Sequence, residues 1–175
     1  MNSSEFYEFL SGRSSVREFS PEEVSDEEIE FIIRCASAAP SAGNRESWDV
    51  VIVTDESIKE DLSDAAFGQE HLITAPVILA VCANYVRSMS QYGERGILYG
   101  IEDASIACTY MMLAAHSTGL HSCWTGAFDD EAVSEILDLP QHARPVAMLA
   151  VGKGKMPHKR NGRMPVLEHI HNDTW

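Results

Sequence analysis

Two arginines near the start of the chain have a spacing that could bind a phosphate group. The segment reads Arg13-Ser14-Ser15-Val16-Arg17, so two guanidinium groups lie four residues apart with two hydroxyls between them. Arginine makes paired, charge-assisted hydrogen bonds to phosphate oxygens. Such a string is more often a solvated surface turn, so it predicts a phosphate site only together with other segments of the chain.

A second segment could contact a flat, polar ring. Residues 39–48 read APSAGNRESW and lead directly into an apolar run. Pro40 and Ser41 are typical of a turn, and the side chain of Asn44 offers both an amide donor and an acceptor. That pair suits the pyrimidine edge of a flavin, where donors and acceptors alternate. A plain connector between a helix and a strand is the alternative, and Trp48 is expected to belong to the core.

A third segment, residues 119–128, reads GLHSCWTGAF. Gly126 has no side chain and therefore permits a close approach of the backbone to a flat ligand. A backbone amide at Thr125, Gly126 or Ala127 could then donate a hydrogen bond to a ring nitrogen that accepts a hydride. The alternative is an ordinary turn from a strand to a helix.

The C-terminal part of the chain is basic, although the chain as a whole is acidic. Five of the 13 lysines and arginines fall between residues 153 and 163. A solvated charge run is the usual interpretation, but Arg160 and Arg163 are candidates for a phosphate contact because the N-terminal segment indicates the same ligand. The histidines have no metal-ligand spacing, and no Ser-His-Asp or Cys-His arrangement is apparent. We therefore expect no metal and no single catalytic acid, base or nucleophile.

Length, charge and cysteine usage limit the possible classes of protein. With 175 residues, 45% of them hydrophobic, the chain is expected to form one domain over residues 1–175. A formal net charge of −14 disfavours nucleic acid and anionic membranes as partners, and no apolar run is long enough to span a membrane. The four cysteines form no CxxC pair, and the N-terminus has no signal-peptide pattern. These features predict a reducing, cytoplasmic location.

Hydrophobic periodicity predicts an α+β chain. Ser25 has the pattern of a helix N-cap, with Glu28 at the capping-box position, and Pro40 is expected to stop that helix after Ala39. The segment from residue 84 to 96 predicts a loop or a loose helix over a pocket. The other helices are expected over residues 3–11, 58–66, 101–117 and 129–137, and the strands over residues 50–53, 76–83, 121–124 and 145–151, the first two of them buried.

The helix expected over residues 101–117 has apolar residues on nearly all sides. A helix of this kind is buried all round. Because the chain is too small to cover it completely, we expect a second subunit to cover one face. Gly119 stands where a C-terminal helix cap is expected.

In this order, the segments resemble the FMN-dependent nitroreductase family. RSSVR, APSAGN before a Trp-led strand, an Ala-rich helix leading into GLHSCWTGAF, and NGRMP in the tail extend the resemblance over nearly the whole chain. The resemblance implies an α+β, nitroreductase-like fold with a central, mostly antiparallel sheet flanked by helices, and an intertwined homodimer with FMN at the subunit interface. It also implies a ping-pong reaction, in which NADH or NADPH reduces FMN and the flavin then reduces a nitroaromatic, quinone or related small acceptor.

The resemblance also implies roles for individual residues. Arg13 and Ser15 would hold the FMN phosphate, with Ser14 beside them, and Arg17 would lie near the phosphate or the pyrimidine edge. Asn44 would reach the ring from the other subunit. Backbone groups of Thr125, Gly126 and Ala127 would contact the ring near its reactive nitrogen, and Arg163 would close on the phosphate. The expected cofactor contacts are Arg13, Ser14, Ser15, Arg17, Pro40, Ser41, Asn44, Thr125, Gly126, Ala127, Arg160 and Arg163.

Three positions depart from the family pattern. The chain has Glu46-Ser47 where Gln-Pro is common, Asn161 where a basic residue is common, and Gly126-Ala127 where one branch has Glu-Gly. The departures leave open a flavin-dependent reductase with another task, such as dehalogenation or flavin fragmentation, and a flavin-binding protein without turnover. They do not fix the acceptor or the choice between NADH and NADPH.

Overall fold

The computed structural model describes residues 1–157 and 162–175. The helices within these ranges are α1 (Ser3–Gly12), α2 (Asp26–Ala36), α3 (Glu56–Ala65), α4 (His71–Thr74), α5 (Tyr85–Tyr92), α6 (Arg95–Ser117) and α7 (Asp130–Ile136). The strands are β1 (Trp48–Val53), β2 (Val77–Asn84), β3 (His121–Thr125) and β4 (Ala143–Gly152). Short 3₁₀ turns lie at Ala42–Asn44 and Val166–His169.

The four strands form one antiparallel sheet in the order β1-β2-β4-β3. The two central strands, β2 and β4, are almost wholly buried. This arrangement confirms the expected α+β fold with a central antiparallel sheet flanked by helices. The expected strands at residues 76–83, 121–124 and 145–151 are confirmed to within two residues at each end.

Helices cover both faces of the sheet, and the alternation of side chains along β2 explains how. Leu79 and Val81 point to one face, where they pack with α2 and α6. Ile78 and Ala80 point to the other face, where they pack with α3, α4 and α7. Because successive side chains in a strand point to opposite sides, a continuous apolar run is what a strand covered on both faces requires.

The expected N-terminus of α2 is confirmed, but its C-terminus lies earlier than expected. The Ser25 hydroxyl accepts from Glu28 N, and the Glu28 carboxylate accepts from Ser25 N at 2.9 Å. The helix ends at Ala36, and tighter i to i−3 hydrogen bonds carry the chain from Ser37 to Ala39. The prediction of a helix up to Ala39 was wrong by three residues because proline disfavours helical geometry in the residues before it.

One other expectation from the sequence was wrong, and the structure decides a second that had left a loop and a loose helix open. The strand at residues 50–53 lies at the sheet edge and is only half-buried, with Ile52 48% exposed. Within residues 84–96, Tyr85–Tyr92 form a regular helix, α5, and α6 begins at Arg95. The Asn84 side chain caps α5 by accepting from Arg87 N, and Gly96 lets the start of α6 approach Met89, whose backbone a Cβ at this position would meet.

Helix α6 is the longest helix among the described residues and begins six residues before the predicted start. Its sheet-facing side is buried, whereas Ile97, Leu98 and Tyr110 remain between 37% and 40% exposed in the single chain. Gly119, at φ 82°, follows the helix in the left-handed conformation that glycine adopts at low cost. The expected cap is therefore confirmed.

None of the helices in the described ranges combines the length and apolar character that crossing a lipid bilayer requires. The four cysteines are free thiols, three of them buried and Cys35 half-buried. Burial raises the pKa of the Cys82 thiol to about 12, and it raises the pKa of the Cys108 thiol as well. These two thiols therefore stay protonated and unreactive at neutral pH.

Candidate functional site

The N-terminal arginine segment forms the start of residues 13–20, which we call the N-terminal strap and which are fixed to the sheet by the pairing of residues 15–20. Ser15 forms a parallel bridge with Ser122, and Val16 N donates to Ser122 O at 3.0 Å. At the other end of the strap, Ser20 N donates to Lys153 O at 2.8 Å. The Val16 side chain is fully buried. The strap therefore lies beside β3 and presents Arg13 and Arg17 at its edge.

The bridge between Ser15 and Ser122 places the segment that carries both arginines next to Cys123, in the middle of β3. Burial raises the pKa of the Cys123 thiol, and the positive charges of Arg17 and Arg13 act in the opposite direction. Arg17 also contributes to the lowered pKa of His71, where burial is the larger cause. The structure thus brings the first and third sequence segments together at one edge of the sheet.

The turn after β3 has the backbone donors that the third segment predicts. The Thr125 side chain is buried, whereas Gly126 and Ala127 are exposed. In the part of the chain that the structure describes, the N–H groups of Gly126 and Ala127 donate to no acceptor. Exposed N–H groups on a glycine-containing turn can be approached closely by a flat ligand.

The second segment forms a strained loop. Gly43, Asn44 and Glu46 all have left-handed backbones, at φ 57°, 55° and 48°. Glycine and asparagine adopt this conformation readily, but glutamate does so at a cost. Glu46 N donates to Ser41 Oγ at 3.0 Å, which closes the loop, while the Asn44 and Glu46 side chains are exposed. Strained residues of this kind often mark functional sites.

A buried carboxylate on α6 holds both ends of this loop. Asp103 is 2% exposed, and its two oxygens accept from Ala42 N at 2.9 Å and Ser47 N at 3.2 Å. A buried carboxylate is stable only when such donors satisfy it. Sequence reasoning missed Asp103, although a lone acidic residue on the apolar side of a buried helix was an available signal.

The single chain does not bring Asn44 to the other two segments. Trp48, which follows the loop, aligns through β2 with Arg144 of β4, whereas Thr125 aligns with Met148. Trp48 and Thr125 are therefore three inter-strand spacings apart across the sheet and four residues apart along the strands, which together correspond to roughly 20 Å. The loop instead packs on α6.

The remaining predicted residues lie in the turn before β1 and in the tail. Pro40 is exposed and Ser41 half-buried, next to the Asn44 loop. Arg163 is exposed in the single chain, and Arg160 lies outside the described residues. No group of side chains that could hold a metal occurs within residues 1–157 and 162–175.

Comparison with known proteins identifies the family of this chain. The model of the Nitroreductase family matches residues 10–70 and 65–153, which span all of the strands and most of the candidate site. The chain belongs to the nitroreductase family. The resemblance drawn from the motif order is therefore confirmed.

Individual relatives and one solved structure agree with this assignment. A protein of Archaeoglobus fulgidus with a provisional NADH dehydrogenase/NAD(P)H nitroreductase name is 32% identical, over 93% of this chain and 94% of that protein. A Bacillus subtilis protein named FMN reductase [NAD(P)H] is 29% identical, over 95% of this chain and 72% of the relative. The structure of NfrA2 from B. megaterium matches with a TM-score of 0.90 at 30% identity, covering 100% of this chain and 76% of that one.

We expect Asp103→Asn to destabilise the protein. The asparagine amide places an NH2 group where the carboxylate now accepts from Ala42 N or Ser47 N, so one buried N–H loses its partner. An unsatisfied buried donor costs about 1–3 kcal/mol, which urea denaturation of the cofactor-free protein measures. Glu102→Gln, at the exposed neighbouring position, is the matched control. Equal unfolding free energies for the two variants would contradict the role of Asp103.

Proposed function

We propose that this nitroreductase-family chain is an FMN-dependent NAD(P)H oxidoreductase that reduces nitroaromatics, quinones or related small acceptors. The observation that carries the proposal is the meeting of two arginines and a turn with free N–H groups at one edge of the sheet. The arginines supply positive charge for a phosphate, and the turn supplies donors for a ring. The relatives named FMN reductase and NAD(P)H nitroreductase support the same cofactor and reductant.

The residues present fit FMN. The strap pairs with β3 at Ser15 and Val16 and so carries the two positive charges of Arg13 and Arg17 close to β3, with Ser14 and Ser15 between them in sequence. A phosphate is recognised by such a charge-assisted set. The N–H groups of Gly126 and Ala127 can face the edge of a ring where negative charge develops, and fixed donors stabilise that charge. Bound FMN would supply hydride-transfer chemistry that none of the amino-acid side chains provides.

We propose that the site is completed by a second copy of the chain. Trp48, which follows the loop that carries Pro40, Ser41 and Asn44, lies roughly 20 Å from Thr125 across the sheet of one chain, so these three loop residues would reach the ring from the partner. Arg163 would close on the phosphate together with Arg160, which lies outside the described residues. The exposed apolar side chains of α6 support a homodimer.

The electron donor and acceptor would use this site in turn, as a ping-pong reaction requires. The chain's own residues would bind the flavin, orient its ring through the turn after β3 and leave one ring face open. We propose a single domain over residues 1–175 and a cytoplasmic location, in keeping with four free thiols in the structure.

We expect the purified protein to bind about one FMN per chain and to oxidise NADH or NADPH when an acceptor such as menadione or a nitrofuran is present. The flavin absorbance spectrum measures the first property, and a steady-state assay with and without added FMN measures the second. No FMN binding at micromolar concentration would refute the proposal. Binding without turnover would instead indicate a flavin-binding protein that is not an enzyme.

We expect Arg13→Ala to weaken FMN binding by about ten- to a hundredfold. A charge-assisted hydrogen bond to phosphate is worth on the order of 1.5–3 kcal/mol, and about 1.4 kcal/mol corresponds to tenfold in affinity. Fluorescence titration gives the dissociation constants, and thermal melts of the cofactor-free protein report folding separately.

Arg34→Ala is the control for this experiment, because Arg34 is exposed on α2 with its guanidinium 5.9 Å from the Phe31 ring centre. If Arg13→Ala and Arg34→Ala bind FMN equally well, the phosphate assignment is wrong.

We expect sedimentation equilibrium to give twice the chain mass of 19.3 kDa at micromolar concentration. Leu98→Glu, which places a charge on the exposed side of α6, should yield monomers and weaken FMN binding together. Ile52→Glu, on the exposed edge strand, should remain dimeric. A stable wild-type monomer that still binds FMN would contradict the shared site.

A further inference from the structure

Residues 65–71, from the end of α3 to the start of α4, run alongside residues 125–129, the turn after β3, and make three hydrogen bonds to them. Asp129 N donates to Ala65 O at 2.9 Å. The Gln69 side chain donates from Nε2 to Ala127 O at 3.0 Å. His71 Nε2 lies 2.8 Å from Thr125 Oγ1. These bonds hold the turn at its beginning, middle and end, and they leave the N–H groups of Gly126 and Ala127 free.

The His71–Thr125 pair is the buried member of this set. His71 is 5% exposed and Thr125 is 2% exposed. Burial, helped by the charge of Arg17, lowers the pKa of His71, so the imidazole is neutral at neutral pH. A neutral imidazole and a hydroxyl each can donate or accept. Because an unpaired polar atom is costly in this position, each side chain fixes the orientation of the other.

We propose that His71 is a positioning residue for the cofactor: through its hydrogen bond to Thr125 it holds the turn Thr125–Ala127 in the orientation that presents the Gly126 and Ala127 N–H groups to the flavin ring. This inference rests on the proposed function. It assigns His71 no direct contact with the flavin and no proton transfer.

Without the hydrogen bond between His71 and Thr125, the turn is no longer preorganised to bind the flavin. A glycine-containing turn has many accessible backbone conformations, so fixing it beforehand removes an entropic cost from ligand binding. Donors held in place also stabilise negative charge that develops on the ring. Loss of the bond should therefore weaken FMN binding and lower the reduction potential of the bound flavin.

The test compares His71→Phe, Thr125→Val and the double variant as FMN-loaded protein. Phenylalanine keeps the ring and valine keeps the branched shape, but neither can make the hydrogen bond. Each single change should weaken the binding of oxidised FMN by about three- to tenfold and the binding of reduced FMN by a further three- to tenfold, which lowers the two-electron potential by about 14–30 mV. The double variant should be no worse than the more affected single variant, because both changes remove one interaction.

Rescue and control variants separate positioning from a general effect on folding. His71→Gln places an amide near the position of Nε2 and should restore most of the affinity and potential. Thr109→Val removes a half-buried threonine hydroxyl that donates to Ser105 O within α6. This variant should change neither the FMN affinity nor the potential of the bound flavin. Thermal melts of the cofactor-free proteins report the folding cost separately. If His71→Phe fails to fold, Thr125→Val, with its unchanged volume, provides the comparison with Thr109→Val.

Three results would overturn the inference. The first is a lower melting temperature with unchanged FMN affinity and potential, which would show a purely structural hydrogen bond. The second is additive effects in the double variant, which would show that the two residues act independently. The third is wild-type protein that does not bind FMN, which would refute the proposed function itself. If the wild-type protein binds FMN and the variants keep its affinity and potential, only the role of His71 is refuted.

Discussion

The pairing of the N-terminal strap with β3 is the interaction on which the candidate site depends. Val16 N donates to Ser122 O, and the buried Val16 side chain keeps the strap against the sheet. The register of that pairing decides where Arg13 and Arg17 lie, because both arginines are close to Val16 in the sequence. A shift of the strap by one residue would exchange its buried and exposed sides, and the arginines would then lose their place beside Cys123. The pairing therefore holds the two arginines near the N-terminus beside a turn that lies more than a hundred residues later in the sequence.

The two loops of the site are held by buried polar groups rather than by apolar packing alone. Asp103 accepts from both ends of the Asn44 loop, and His71 pairs with Thr125 at the start of the turn after β3. A buried polar group without its partner costs free energy, so each loop has one conformation in which that group is satisfied. Such a constraint keeps backbone donors and an exposed amide in place while leaving their outer surfaces open to a ligand.

Local patterns in the sequence predicted most of the fold and the three segments of the site. Ser25 and Glu28 identify the start of α2 because a capping box is a local signal, and the apolar run of β2 is typical of a strand covered on both faces. The exposure of β1 could not be read from its similar apolar run, because it depends on β1 lying at the sheet edge. Asp103 and His71 were missed for a related reason: their partners lie 56 and 54 residues away. No spacing rule connects residues that meet only through the fold.

The distribution of charge explains how an acidic protein can bind an anionic cofactor. A net charge of −14 repels a phosphate at long range, but at physiological ionic strength that repulsion is screened beyond about 8 Å. Within this distance the fixed charges nearest to the ligand dominate. In the proposed phosphate site these would be Arg13 and Arg17, because the strap that carries them pairs with β3. Such a local cationic site on an acidic surface would select for an anion that also makes the correct short-range hydrogen bonds, and it would disfavour extended polyanions such as nucleic acid.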